Sequence, residues 1–428
     1  MGFQITRGAL IKYTEEPGVT DVVIPEGVTR IGNNAFEGCE SLTSVTIPEG
    51  VTHIGNNAFE GCGSLASVTI PKSVTRIGNG AFWGCGSLTS VTIPESVTRI
   101  ESGVFWNCKS LTSIAIPESI TSIGALAFAG CDGLADASGL IVVNGTVNAC
   151  QLDVTSVTIP EGVVRIGDGA FNGCGSLTSV TIPEGVTSIG DSAFSRCQLL
   201  TNITIPESVT RIGDWAFEYC ESLTSITIPE GVTRIGIGVF IGCCLTSIAI
   251  PESVTSIGTG AFASCKSLTS ITIPEGVTSI EDETFEDCLL RSITIPKGVT
   301  SIGEKAFKNC WLTSVTIPEG VTSIGYQAFW ECESLTSVTI SEGVTSIGCE
   351  AFEGCKGLTS VTIPESVIRI GERAFSMCES LTDLTIPESV TYIGDYAFSG
   401  CEKLTHVTLP KNVTSLGVDV FDWQVEIR

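Results

Sequence analysis

A short sequence motif recurs along this chain at a nearly fixed interval, and that interval limits the folds that the chain can adopt. Residues 180–194 read VTIPEGVTSIGDSAF, and close copies follow one another with Pro25, Pro48 and Pro71 spaced 23 residues apart. Sixteen of the 17 prolines occupy one slot of this repeat, and 17 of the 18 phenylalanines occupy another. One copy cannot enclose its own apolar side chains, so the copies must stack on each other.

A single copy contains two kinds of local pattern. Residues 42–62 read LTSVTIPEGVTHIGNNAFEGC. The V-T-I part alternates like a short strand rich in β-branched residues, and the proline that follows ends it because proline cannot donate to a ladder. The GNNAFEGC part suits a helical or 3₁₀ turn. The sequence therefore predicts a solenoid of stacked strand-and-turn units.

The pattern L-x-x-V-x-I-P-x-x-V-x-x-I-x-x-x-A-F-x-x-C resembles the 23-residue leucine-rich repeat of the BspA-like family of bacterial and protozoan surface proteins. The resemblance implies a horseshoe with a parallel concave β-sheet and short helical or 3₁₀ turns on the convex side. It also implies a non-enzymatic solenoid that binds a protein or glycan ligand in adhesion or host interaction. The expected location is the cell surface or secretion, and cytoplasmic is the alternative because the chain shows no signal peptide.

The positions of the repeats along the sequence predict four segments. Residues 1–24 are expected to form an N-terminal capping hairpin, and residues 25–134 form a first block of repeats. Residues 135–158 interrupt the train with Asn144-Gly145 between apolar runs, which is a strong hairpin signal. This insert either covers core or projects as a binding element. Residues 159–428 form a second block with a C-terminal cap.

Composition excludes several function classes. Lys and Arg number 22 against 47 Asp and Glu, a net charge of −25, so nucleic acid is not expected as a partner. The chain contains no run of about 18 apolar residues, so membrane insertion is not expected. The two histidines, His53 and His406, are too many repeats apart to share a site, and no catalytic motif occurs. We expect no cofactor and no enzyme activity.

Cysteine and glutamate each recur in a fixed slot. The 19 cysteines mostly follow the A-F pair, and we expect them to be buried and reduced, with Cys150, Cys244 and Cys349 outside that slot and more reactive. Glutamate occupies the slot after the proline in fourteen copies, in one of which Ser341 replaces the proline, and Lys72, Lys297 and Lys411 occupy it in three. This glutamate rim is either simply solvated or bridged by calcium.

Three residue sets are candidates for ligand binding. The first is the threonine inside V-x-I, represented by Thr181, Thr204 and Thr227, which is expected on the concave face and is otherwise only a good exposed strand residue. The second is a basic ridge that includes Arg76 and Arg99, which either neutralises the rim or binds an acidic partner. The third is the tryptophan pair Trp83 and Trp106 in adjacent copies, which is either an exposed hot spot or packs against the insert.

Two functional classes remain open. A binding module is expected to be a monomer with capped ends. A structural protein would instead assemble through the ends of its solenoid, since the C-terminal DWQVEIR alternates like an unpaired strand.

Overall fold

The repeats stack as turns of a solenoid with parallel strands in the computed structural model, which describes residues 2–428. The predicted repeat fold is confirmed. The chain divides into two compact units, Met1–Cys197 and Gln198–Arg428. In each unit a turn contributes up to two short strands. We call those in the V-x-I pattern threonine strands, and those in the following [R/S]-I pattern ridge strands.

The threonine strands bury their Val and Ile side chains and expose the residue between them. In the first unit Val22, Val45 and Val91 are at most 5% exposed, and burial of such a side chain contributes about 1.5–3 kcal/mol. Five strands form one parallel sheet, and two more pair with each other in parallel. Their bounds are Asp21–Val23, Ser44–Thr46, Ser67–Thr69, Ser90–Thr92 and Ser113–Ala115, then Ser156–Thr158 and Ser179–Thr181.

The second unit has an interrupted series of threonine strands. Its members are Asn202–Thr204, Ser314–Ile317, Ser337–Ile340, Ser360–Thr362, Asp383–Thr385 and His406–Val407. The last strand, Glu426–Ile427, pairs in parallel with His406–Val407, so the expectation of an unpaired C-terminal strand is wrong. Across residues 205–313 the V-x-I pattern still buries most of its isoleucines, but pairing between V-x-I segments there is limited to one bridge between Thr227 and Ala249. The apolar side chains of this stretch therefore stay in register although the strand ladder is interrupted.

The ridge strands were not predicted from the sequence. Each has two residues, a polar or aromatic one followed by an isoleucine or leucine, and paired copies run in parallel. The second residue is buried except at Ile123, which is half-buried, and Leu416, which is exposed. In the first unit they are Arg30–Ile31, His53–Ile54, Arg76–Ile77, Arg99–Ile100, Ser122–Ile123, Arg165–Ile166 and Ser188–Ile189. In the second unit they are Arg211–Ile212, Arg234–Ile235, Ser256–Ile257, Ser279–Ile280, Ser301–Ile302, Ser323–Ile324, Ser346–Ile347, Arg369–Ile370, Tyr392–Ile393 and Ser415–Leu416.

Two antiparallel hairpins have the same construction. Phe3–Thr6 pairs with Ala9–Tyr13, and Leu140–Val143 pairs with Thr146–Cys150, each with one register shift after the second residue pair. The second strand of each hairpin pairs in parallel with a ridge strand. In the inserted hairpin the apolar side chains Leu140, Ile141 and Val147 are at most 6% exposed, so most of its apolar surface covers core.

The segments that contain Ala-Phe are turns. Within one such segment the N–H of Cys39 donates to the carbonyl of Phe36 at 3.1 Å. The N–H of Phe36 donates to the carbonyl of Ala58 in the next turn at 2.7 Å. One 3₁₀ helix occurs among residues 2–428, at Asp132–Leu134. Each turn also holds residues in the left-handed region, among them Asn34, Leu126 and Trp215 at φ 55–58°.

Phenylalanine rings form the centre of the core. The rings of Phe36 and Phe59 stack with centroids 4.8 Å apart, and those of Phe105 and Phe128 stack at 5.8 Å. A second stack runs through the second unit from Phe217 to Phe421, where the ring centroids of Phe398 and Phe421 are 5.4 Å apart. Stacking of like on like follows from the fixed repeat length, because each slot meets the same slot of the next turn.

Candidate binding surface

Two kinds of threonine occupy the surface of each turn. Thr52 and Thr75 donate their Oγ1 hydroxyls to the carbonyls of Thr29 and Thr52 at 3.1 and 3.2 Å, which ties each turn to the one before it. The threonines inside V-x-I are exposed, and no side-chain hydrogen bond is recorded for them within residues 2–428. Their hydroxyls are therefore free to donate to, or accept from, a ligand.

The predicted threonines all lie on the exposed side of the V-x-I pattern. In the first unit Thr181 pairs with Thr158. In the second unit Thr204 ends the strand Asn202–Thr204, and Thr227 bridges to Ala249. The same threonine slot forms a longer continuous row in the second unit, which could not be located from the sequence because the repeat does not show where the ladder is unbroken: Thr316, Thr339, Thr362 and Thr385.

The glutamate rim is exposed along its whole length. In the second unit Glu342 accepts from the backbone N–H groups of Glu365 and Ser366 at 3.3 and 3.1 Å, and Glu388 accepts from that of Lys411 at 3.0 Å. These carboxylates thus cap the backbone of the following turn. Within residues 2–428 no group of three His, Cys, Asp or Glu side chains is placed to hold a metal ion, and calcium on the rim stays a prediction.

The basic ridge lies on the ridge strands. Arg76 and Arg99 are exposed in consecutive turns. Among the described residues no ion pair is recorded between either arginine and a rim glutamate, so direct pairing does not neutralise them. Further along, Arg234 forms an ion pair with Asp214 at 3.5 Å.

The two tryptophans pack on each other. The rings of Trp83 and Trp106 stack with centroids 4.8 Å apart and planes 5° from parallel, and each is half-buried. No ring contact or ion pair joins this pair to Arg76 or Arg99 in the part of the chain that the structure describes. The sequence-predicted residues therefore form separate surfaces: the threonine rows, the arginine ridge and the tryptophan pair.

The cysteine slot lies against the backbone of the preceding turn. The Cys62 thiol donates to the Phe36 carbonyl at 3.1 Å, and the Cys355 thiol donates to the Phe329 carbonyl at 3.3 Å. Burial raises the pKa of Cys39 to about 11 and that of Cys332 to about 12. All 19 cysteines are free thiols, and among the three outside the slot Cys349 is exposed, Cys244 is half-buried and Cys150 is buried. The expectation that Cys150 is reactive is wrong, because it lies inside the inserted hairpin.

Comparisons with known proteins give a consistent family. The profile of the BspA type leucine rich repeat region matches residues 13–135, 147–269, 233–333, 255–356 and 322–428. A leucine-rich repeat protein from Bacteroides ovatus is 29% identical over 100% of this chain and 97% of its own, with a TM-score of 0.47. A leucine rich cell surface protein from Faecalibacterium prausnitzii is 28% identical over 98% of this chain and 90% of its own, with a TM-score of 0.31.

Two further comparisons are negative. None of the curated proteins with which the chain was compared matches it. Among residues 2–428 we find no helix with the length and apolar character needed to cross a bilayer.

Proposed function

The chain belongs to the BspA-type leucine-rich repeat family, and from that premise we propose that it is a non-enzymatic binding module whose threonine strands adhere to a protein or glycan ligand. Proteins with this repeat are generally surface proteins with binding roles. We place this chain at the cell surface or in the secreted fraction on the same ground. A cytoplasmic location is the alternative.

The free hydroxyls of the V-x-I threonines carry this proposal. Thr339, Thr362 and Thr385 are exposed in successive turns with no recorded hydrogen bond, whereas Thr336 and Thr359 in the same turns donate to carbonyls at 2.9 and 3.1 Å. Parallel strands space the free hydroxyls about 5 Å apart. Such a row suits a ligand that repeats polar groups at a similar interval.

The test is a binding screen of the full chain against immobilised extracellular matrix proteins and a glycan array. For any ligand found, Thr→Val at 339, 362 and 385 removes three free hydroxyls and keeps a good strand residue. The matched control changes Thr336, Thr359 and Thr382 to Val, which removes three hydroxyls that are already bonded within the solenoid.

We expect at least a tenfold loss of affinity in the first variant and little change in the control, measured well below both melting temperatures. Equal losses in the two variants contradict the proposed surface. A screen without any ligand contradicts the proposed class of function.

One observation favours a second candidate, structural assembly through the solenoid ends. In the last turn Trp423 is 96% exposed, and Val418 and Ile427 are 59% and 53% exposed. If copies associate there, light scattering should show growth with concentration that Trp423→Ser suppresses. The favoured binding module should instead keep a single mass near 44.8 kDa.

A further inference from the structure

Two of the three rim lysines line grooves on the threonine side of the solenoid, one in each unit. In the second unit Lys297 lines a groove of about 510 Å³ together with Glu275 and Glu319, the rim residues of the turns before and after it. In the first unit Lys72 lines a groove of about 960 Å³ together with Glu95 of the following turn. In both grooves, therefore, a rim lysine is followed by a rim glutamate in the next turn.

Each groove lies where the ladder between neighbouring V-x-I segments is incomplete. In the first unit Ser67–Thr69 and Ser90–Thr92 pair only through Ser67 and Ser90, whereas Ser90–Thr92 and Ser113–Ala115 pair along three residues. Ile93 donates to the Ala115 carbonyl at 3.0 Å. No equivalent bond from Ile70 to Thr92 is recorded among residues 2–428. The ladder between these two strands is thus incomplete beside the groove.

The second groove has the same origin. Residues 293–295 form no strand, and the neighbouring Ser314–Ile317 pairs on its other side with Ser337–Ile340 along four residues. Ile293, Val315 and Pro318 give this groove apolar walls beside the charged rim. An apolar wall beside a charged wall suits an extended peptide that crosses the turns with its charged side chains toward the rim.

The charges define which peptide fits. Glu275, Lys297 and Glu319 present negative, positive and negative groups in successive turns, at the strand spacing of about 5 Å. No ion pair is recorded for Lys72 or Lys297 in the part of the chain that the structure covers. Alternate side chains of an extended peptide lie on one side and are about 6.6 Å apart, a spacing that flexible charged side chains can match to the rim.

We propose that these two grooves bind extended peptide segments in which an acidic residue faces the rim lysine and basic residues on the same side face the neighbouring rim glutamates. The inference rests on the proposed binding function and names the ligand class for part of the same face. Acidic glycans supply carboxylates or sulfates without the flanking cations, so the alternation of charge favours a peptide. The apolar groove walls receive the uncharged residues between the charged ones.

The test measures fluorescence anisotropy of the labelled peptide Lys-Val-Glu-Val-Lys with the full chain at 150 mM NaCl. Lys-Val-Lys-Val-Lys serves as the competitor that probes the central charge. The test variant carries Lys72→Glu and Lys297→Glu, which restores the residue found in this slot in fourteen copies and therefore suits the local structure. The matched control is Lys411→Glu, since Lys411 is the third rim lysine and lines neither groove.

We expect the wild-type chain to prefer Lys-Val-Glu-Val-Lys with two sites per chain. The ratio of the two peptide affinities should move at least tenfold toward Lys-Val-Lys-Val-Lys in the double variant, because a central repulsion replaces a central attraction. Each single variant should remove one site, and Lys411→Glu should leave the ratio unchanged. Circular dichroism checks that each variant keeps its fold.

An unchanged ratio in the double variant overturns the inference, as does an equal shift in Lys411→Glu, which would indicate only the overall charge of the chain. Preferential displacement of the peptide by a uronic acid oligosaccharide also overturns it in favour of a glycan. These outcomes are independent of the threonine test. Loss of binding in the Thr→Val variant with no shift in the peptide ratio leaves the proposed function standing and removes this site alone.

Discussion

Thiol reactivity is the most direct probe of the stacked core. When the native chain meets an aromatic disulfide reagent at pH 8, we expect Cys349 to react first and Cys244 second, because Cys349 is exposed and Cys244 is half-buried. The other seventeen thiols are buried. They should react only as fast as the solenoid opens.

The magnitude follows from burial and from ionisation together. The thiolate is the reactive species, and burial raises the pKa of Cys332 from an ordinary 9.0 to about 12. At pH 8 this lowers its thiolate fraction roughly a thousandfold. Buried thiols of this kind should therefore lag far behind Cys349 for as long as the surrounding turns stay closed.

The assay counts the released chromophore in buffer and again in guanidinium chloride. We expect about two thiols per chain within minutes in buffer and all 19 after unfolding. Cys349→Ser should remove the fastest phase, and the matched change Cys355→Ser should leave it unaltered. Rapid reaction of more than three thiols in the native chain, or a fast phase that survives Cys349→Ser, would refute the buried ladder.

Three further predictions concern stability. Burial raises the thiol pKa values in the folded chain, so as the pH rises the unfolded chain loses its thiol protons at a lower pH than the folded chain does. The free energy of unfolding should therefore be unaffected by these thiols below pH 9 and fall progressively between about pH 9 and 12. An equal urea midpoint at pH 8 and pH 10 would contradict this. Phe329→Ala should cost about 3–5 kcal/mol of unfolding free energy, since its ring lies 5.2 and 5.1 Å from the rings of Phe307 and Phe352. Phe421→Ala should cost about half as much, because Phe421 is half-buried and stacks on Phe398, and denaturation monitored by circular dichroism compares the two. Sodium and calcium at matched ionic strength should raise the melting temperature alike; a calcium effect at low millimolar concentration that disappears when Glu342, Glu365 and Glu388 are changed to Gln would instead show a bridged rim.

The sequence predicted the core well because each core slot is chemically uniform. The slots of Phe36, Cys62 and Val45 are filled by similar residues in almost every copy, and all three are buried as expected. A uniform slot has the same neighbours in every turn, so the letters of one copy are sufficient to place it.

The missed features depend on the neighbouring turn instead. The ridge strands have only two residues each, which is too short for a recognisable alternation. The left-handed residues include Asn34, Leu126 and Trp215, and the last two are types that avoid this conformation in isolation. The stack imposes that conformation, and nothing in one copy shows it. The grooves at Lys72 and Lys297 likewise arise from pairing lost between two turns.

The phenylalanine stack also bears on how such a gene can change. Successive rings face each other at 4.8–5.8 Å, so each turn offers the next the same surface that it receives. Recombination between two copies in register therefore joins surfaces that already fit, and the gene can gain or lose 23 codons without a cavity at the joint. A deletion of ten codons inside one copy would displace the Phe, Cys and Leu slots together. The number of turns, and with it the length of the exposed threonine row, is thus the property that can drift most freely between lineages.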